Sequence, residues 1–243
     1  YSNHNLGIVT CSWVDPNDAN HILIGTEASG LWETKNATAV IPDWKNLTDS
    51  YVATSTTIPI GFGVSSIVVK KGKGLNNSLD IIIVSTYLSN TDLGIGHGLG
   101  ILVSFNSGGS WMKANIGPNN PVKDRCWKVI NAEDANNDKV FASCDGKVYE
   151  GVVVAIGAWG FGQNPIFDIQ AINPCSDPSN GYLKRHVRDM EVISSGTNKT
   201  LFITTDGFIT GNVKCNAKIY YSDLTSTTYQ WQDCLAVAIM WGC

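Results

Sequence analysis

A strand pattern that comes round four times constrains this chain more than any other feature. Each copy reads as a first strand, a polar turn, a second strand ending in Ser or Thr, a glycine turn and a third strand. The first copy is Ile8–Val14, then His21–Thr26, then Gly30–Thr34. The second is Val64–Val69, Asp80–Thr86 and Gly100–Ser104. The third starts at Cys126, continues at Lys139–Ser143 and ends at Gly146–Glu150. The fourth is Val187–Val192, Thr200–Thr205 and Lys218–Ser222. These segments alternate apolar and polar residues or run as short Val/Ile stretches, and no helical stripe appears. The chain is therefore expected to be all-β. A small sheet cannot bury both faces alone, so neighbouring copies must stack on it, as blades do in a β-propeller. The expected architecture is a β-propeller of four to five blades, or part of a larger propeller, in one domain over 1–243. The repeats fall at about 7–50, 61–117, 125–170 and 184–234, and 235–243 is expected to be a closing strand or the first strand of another blade.

A Trp soon after the third strand marks the fourth: Trp44, Trp111 and Trp231. The turn before Trp111, Ser104-Phe-Asn-Ser-Gly-Gly-Ser, fits the spacing Ser-x-Asp-x-Gly-x-x-Trp with Asn106 in place of Asp. Thr34-Lys-Asn-Ala-Thr and Ser222-Asp-Leu-Thr-Ser are partial versions. An Asn or Asp caps its own turn there, glycine supplies a positive φ, and the Trp plugs the hairpin. With the run Asp15-Pro-Asn-Asp-Ala-Asn-His-Ile-Leu-Ile-Gly-Thr26, these motifs resemble the Asp-box (BNR-like) propellers. That group includes sortilin-type domains, xyloglucanase-like glycosidases, photosystem assembly propellers and secreted bacterial modules. The resemblance implies a propeller with Asp-box-like hairpins; the box specifies a hairpin, not an activity. Residues 151–184 depart from the pattern.

Charged residues make up only 16% of the chain and the net charge is -4. Without a Lys/Arg-rich run there is no electrostatic footprint for nucleic acid. No apolar stretch approaches the ~20 residues of a membrane span, so no membrane insertion is expected within this chain. Four sequons occur, at Asn36, Asn46, Asn76 and Asn198, beside seven cysteines and no CxxC pair. Together they favour a secreted, extracellular protein bearing N-linked glycans rather than a zinc site. The chain starts at Tyr1, which fits removal of a signal peptide or a piece of a longer polypeptide. Cys126 with Cys144 falls on adjacent strands of one repeat, and Cys215 with Cys234 flanks the last hairpin. Cys11 and Cys243 hold similar places at the two chain ends, where a bridge would close a ring. Cys175 is left over for an intermolecular bond.

Catalytic constellations are poor. A sialidase-like site needs an arginine cluster, but the chain has only Arg125, Arg185 and Arg188. A glucanase needs two carboxylates flanking a cleft. Asp15 and Asp134 read as turn caps, and Asp189 and Glu191 share one strand face. His97 lies in a glycine-rich loop, Gly94–Gly100, with no helix behind it to make a phosphate cradle. The turn Asp134-Ala-Asn-Asn-Asp138 has oxygen ligands of the calcium type, but Ala135 and Lys139 interrupt the pattern, so a plain turn is read. No metal and no cofactor are expected.

The stretch Ala155–Gly162 is apolar and glycine-rich, so Trp159 and Phe161, with His97, are the expected interaction residues. The functional expectation leans away from an enzyme. It is a secreted, glycosylated structural, adhesion or assembly module with protein partners or self-association, including into a larger assembly or filament. One alternative is a carbohydrate-binding or glycoside-hydrolase propeller, and another is a sorting-receptor ectodomain fragment.

Overall fold

Four antiparallel sheets, taken in chain order, make up the computed structural model. It describes residues 8–49, 51, 62–87, 98–116, 126–132, 138–144, 146–154, 159–162, 164–169, 186–210, 213–226 and 228–234. The first blade is β1 (Val9–Asp15), β2 (Asp18–Thr26), β3 (Leu31–Thr34) and β4 (Lys45–Asn46). The second is β5 (Gly63–Lys70), β6 (Ile81–Tyr87), β7 (Ile101–Ser104) and β8 (Met112–Lys113). The third is β9 (Cys126–Asn131), β10 (Lys139–Cys144) and β11 (Lys147–Val153), with a fourth position split between β12 (Trp159–Phe161) and β13 (Phe167–Asp168). The fourth blade is β14 (Val187–Ser195), β15 (Asn198–Thr205), β18 (Lys218–Asp223) and β19 (Gln232–Asp233). A small hairpin of β16 (Phe208–Thr210) and β17 (Val213–Cys215) is inserted between β15 and β18.

Apolar residues run almost unbroken where a sheet is packed on both faces, as in β6 and β7, and alternate with exposed ones on the end sheets, as in β14. One core sits between each pair of blades. Leu23 and Leu31 of blade 1 pack on Val64, Val84 and Leu102 of blade 2. Ile81, Ile83 and Val103 of blade 2 pack on Val129, Val140 and Ala142 of blade 3. Phe141, Val148 and Phe167 of blade 3 pack on Met190, Leu201 and Ile203 of blade 4. Contacts between inner strands run from β1 to β5, β5 to β9 and β9 to β14. Among the described residues, no contact of that extent joins β14 back to β1. Among the described residues the blades thus form an arc, and neither end sheet has another blade packed on its outer face.

Local chemistry repeats with the blades. The middle strand ends in a Thr whose hydroxyl donates across the next turn: Thr26 to the Gly30 carbonyl at 3.0 Å and Thr86 to that of Gly100 at 2.8 Å. Gly30, Gly100 and Gly146 open the third position with φ of 72°, 78° and 81°, where a β-carbon is strained. In blade 3, Cys144 stands at the Thr position and is bonded to Cys126. The same pairing position holds Val9 with Thr26, Val64 with Thr86 and Val187 with Thr205.

The turn between β7 and β8 is held by Asn106, whose Oδ1 accepts from Ser104 Oγ at 2.9 Å and from the Ser110 N–H at 2.8 Å. Trp111 then plugs backward, its indole N–H donating to the Leu47 carbonyl of the preceding blade at 2.8 Å. Trp231 does the same to Ile166 at 2.7 Å.

Two expectations need correction here. Cys234 is a free thiol, so the Cys215–Cys234 bridge is not formed, although Cys215 is disulfide-bonded. Cys11 is likewise free, which removes the Cys11–Cys243 closure. Of the apolar stretch, Trp159–Phe161 pairs with β11 as a fourth-position strand. Phe161 is buried and Trp159 packs edge-on against Phe105. Backbone pairing drew these side chains into the core between blades 2 and 3. Cys175, Cys243, His97, Asp134 and residues 235–243 lie outside the described residues.

Candidate functional site

The inner strand of every blade carries one extra residue at the same place. Val9 pairs with Thr26 and Cys11 with Gly25, so Thr10 is unopposed. The same slip leaves out Ser65 in β5, Trp127 in β9 and Arg188 in β14. A bulge of this kind turns a side chain out of the alternating pattern and aims it sideways. Here it aims along the row of blades.

The first two junctions are closed by hydroxyls. Thr10 Oγ1 donates to the Val64 carbonyl, the residue just before the next bulge. Ser65 Oγ donates to the Cys126 carbonyl at 3.0 Å, again just before the next bulge. Ser66 adds a bond to the Val129 carbonyl at 2.9 Å.

At the third junction the bulged residue is Trp127. Its buried indole N–H has no acceptor among the described residues. The ring is stacked on Tyr87, with centroids 5.4 Å apart and planes at 29°. The Arg188 guanidinium lies 3.9 Å from the Trp127 centroid, a cation–π distance. His186 is 5.6 Å away and tilted. Asp206 orients this end, accepting from Arg188 Nε at 3.1 Å and from the His186 N–H at 2.6 Å.

Beside this stack, the four inner strands line one groove of ≈ 350 Å³. Ser12, Ser65, Ser66, Lys128, Asn131 and Glu191 are among its walls. Lys128 is paired to Asp189 across blades 3 and 4 at 2.7 Å. Asn131 Oδ1 is a buried acceptor without a partner. Buried polar atoms without partners are uncommon, because each costs a desolvation penalty, so each calls for a ligand, water or special role. The groove offers hydroxyls, charged groups and an open acceptor, and the open Trp127 donor belongs to the residue before its wall residue Lys128, a set that matches a polyhydroxylated ligand chemically. Cys11, at the blade 1 side, is held in its thiol form by burial, which pushes its pKa up to about 11.

Of the residues singled out from sequence, Asp189 and Glu191 lie on one side of β14, and Glu191 lines this groove. Asp189 Oδ1 also accepts from the Met190 N–H at 2.9 Å. Two carboxylates on one strand cannot flank a scissile bond from opposite sides. Arg188 belongs to the Trp127 stack rather than to an arginine cluster. Asp15 is at the far end of β1 and joins a polar clasp between blades 1 and 2. Its carboxylate accepts from Lys71 Nζ at 2.7 Å and from the Asn17 N–H at 2.9 Å, with His21 at 3.3 Å. Lys71 first, then the Asn17 N–H, holds its pKa down near 2. His21 also reaches Glu33 at 2.9 Å, and Lys71 reaches Asp80 at 3.1 Å.

The sequons fall into two groups. The Asn36 amide donates to Asp43 Oδ2 at 3.2 Å and the Asn46 amide to the Ser29 carbonyl at 2.7 Å. Asn76 and Asn198 are exposed. The residues missed by sequence reasoning are Thr10, Ser65, Tyr87 and Trp127. A signal existed, since in each repeat an apolar residue is followed by two that break the alternation: Thr10-Cys11, Ser65-Ser66, Trp127-Lys128 and Arg188-Asp189.

No protein-family profile and no curated protein matches the chain. Among solved structures, it is similar to an ancestral GH74 enzyme, a β-propeller glycoside hydrolase, with a TM-score of 0.58 and 18% sequence identity. The match covers 94% of this chain and 25% of that one, so the chain spans about a quarter of its length. At that identity the likeness supports the propeller-like fold, which the all-β sheets share. No helix among the described residues is long and apolar enough to cross a membrane.

Proposed function

We propose that this chain is a non-catalytic, extracellular propeller module that binds a glycan chain in the groove along its inner strands. The observation that carries this reading is the unpartnered Trp127 indole N–H beside the groove, at the third bulge, where two preceding blades close the same position with hydroxyls. Sugar rings offer what is missing there: hydroxyl acceptors for the indole and hydroxyl donors for Asn131 Oδ1. The propeller neighbour is a GH74 enzyme, which agrees with a carbohydrate-related role. Hydrolysis is not part of the proposal, because Asp189 and Glu191 sit on one strand and Asp189 is committed to Lys128.

The test is a polysaccharide panel read by affinity electrophoresis. The secreted protein is expected to be retarded by at least one polysaccharide, and Trp127→Ala is expected to abolish that retardation while keeping the wild-type circular dichroism. Release of reducing ends would instead establish an enzyme. Binding to nothing on the panel would return the chain to a second reading, an assembly module. Uncovered faces at both ends of the arc favour that second reading: Val14 on blade 1 is 49% exposed and Ile193 on blade 4 is 52% exposed. It predicts self-association by sedimentation.

A further inference from the structure

The outer face of blade 4 is a feature the groove does not explain. Facing away from blade 3, it presents Ile193, Phe202, Ile219 and Tyr221, the two aromatics stacked 5.8 Å apart at 28°. A trough of ≈ 370 Å³ runs along this face, lined in part by Asn198, Thr200, Tyr221, Asp223, Gln230 and Gln232. That volume is in the range of small-ligand sites. The Tyr221 hydroxyl is bonded to Gln232 Oε1, and Asp223 is held by Thr225, whose N–H lies 2.8 Å away. Two of the lining residues are the attachment and recognition residues of one sequon. Asn198 and Thr200 are two apart on β15, so they share this face.

We infer that the trough is the seat of the N-linked glycan carried by Asn198 itself, which covers the uncovered aromatic face of blade 4. The inference rests on the reading of the chain as a secreted glycoprotein. Position selects this sequon. The Asn36 and Asn46 amides each hold a structural hydrogen bond, and Asn46 Oδ1 also accepts from the Thr48 and Asp49 N–H groups at 2.7 and 2.9 Å. Asn198 is exposed, and no side-chain bond ties it among the described residues. Asn76 is exposed too, but lines neither cavity described above. The chemistry of the trough suits N-acetylglucosamine. Glutamine amides and a carboxylate meet hydroxyls and the acetamido group, and the Tyr221 ring meets the apolar face of the pyranose. An attached ligand loses little translational freedom on docking, so even weak contacts hold it in place.

The experiment uses the whole chain secreted from a glycosylating host. Site occupancy is read by peptide mass mapping after enzymatic release in heavy-oxygen water. Side-chain exposure is then read by hydroxyl-radical footprinting before and after release. Expected results are sugar on Asn198, and a several-fold rise in labelling of Phe202 and Tyr221 on release, with buried Phe141 unchanged. Thr200→Ala should match the sugar-free protein, and Thr200→Ser, which keeps the sequon, should restore both sugar and protection. A bare Asn198 beside an occupied Asn76 overturns the inference and leaves the secretory reading standing. Sequons that are all bare overturn both. An occupied Asn198 with unchanged labelling also overturns it, and unchanged low labelling with a doubled mass in sedimentation assigns the face to a second copy.

Discussion

The junctions from blade 1 to 2 and from blade 2 to 3 use the same bulge as the junction from 3 to 4, yet the outcomes differ. At the first two, a Thr or Ser hydroxyl reaches the carbonyl ahead of the next bulge and closes the contact. At the third, an indole too large to make that bond stacks between Tyr87 and Arg188, and its N–H is left open. Backbone geometry is shared, so the side chain alone decides whether a junction is sealed or available to a ligand. Blade 3 differs in a second way, because a disulfide replaces the Val/Thr pair at the same position.

The comparison can be broken at each of these points. The largest effect is expected from Cys126→Ser combined with Cys144→Ser. The cysteines are 18 residues apart, and opening a loop of that length should cost about 3 kcal/mol of stability in calorimetric unfolding. A loss no larger than that of an ordinary surface substitution would mean that the Val/Thr arrangement suffices in blade 3 as well. Next is Ser66→Ala, which removes a buried hydroxyl bond between blades 2 and 3 and should cost about 1 kcal/mol in denaturant titration.

Trp127→Phe sharpens the contrast most directly. It keeps the stacking ring and removes an N–H that bonds to nothing, so stability should change by less than about 0.5 kcal/mol. Retardation by polysaccharide should weaken about tenfold, or ~1.4 kcal/mol. A stability loss equal to that of Ser66→Ala would make the indole a structural rung and erase the difference between the junctions. The smallest effect concerns reactivity. Cys11 should alkylate slowly at pH 8 and speed up as pH approaches about 11, because only the thiolate attacks and burial keeps the thiol protonated. Rapid labelling at pH 8, followed by mass spectrometry of the Cys11 peptide, would show that water enters the blade 1 end of the groove freely.

Strand period and turn chemistry made much of this fold legible. Alternation located the strands, and the spacing from Ser104 to Trp111 located a turn whose Asn106 and glycines do what those residue types dictate. The failures share a physical cause. Cys234 and Cys215 sit close in sequence around the last hairpin, but pairing needs converging β-carbons, which spacing does not reveal. The strand pairing of Trp159 and Phe161 was hidden because the fourth strand of blade 3 is split in two and its apolar half reads as an insertion. Asn46 looked like any sequon, although its amide holds the turn leading out of β4. The candidate site was least legible of all, since a bulge is a one-residue slip between two strands and leaves only a brief break in the alternation of one of them. Asp189 and Glu191 were visible as a same-face pair, while the partner that neutralises Asp189, Lys128, comes from another blade.

Because the bulged residue takes no place in the ladder, its side chain is released from the demand that β pairing makes on its neighbours. Thr, Ser, Trp and Arg occupy the four equivalent positions without altering the strands on either side. The arc therefore carries a row of interchangeable letters on a fixed frame. Specificity at the mouth of the groove can be respelled one blade at a time, and the core beneath has no need to change.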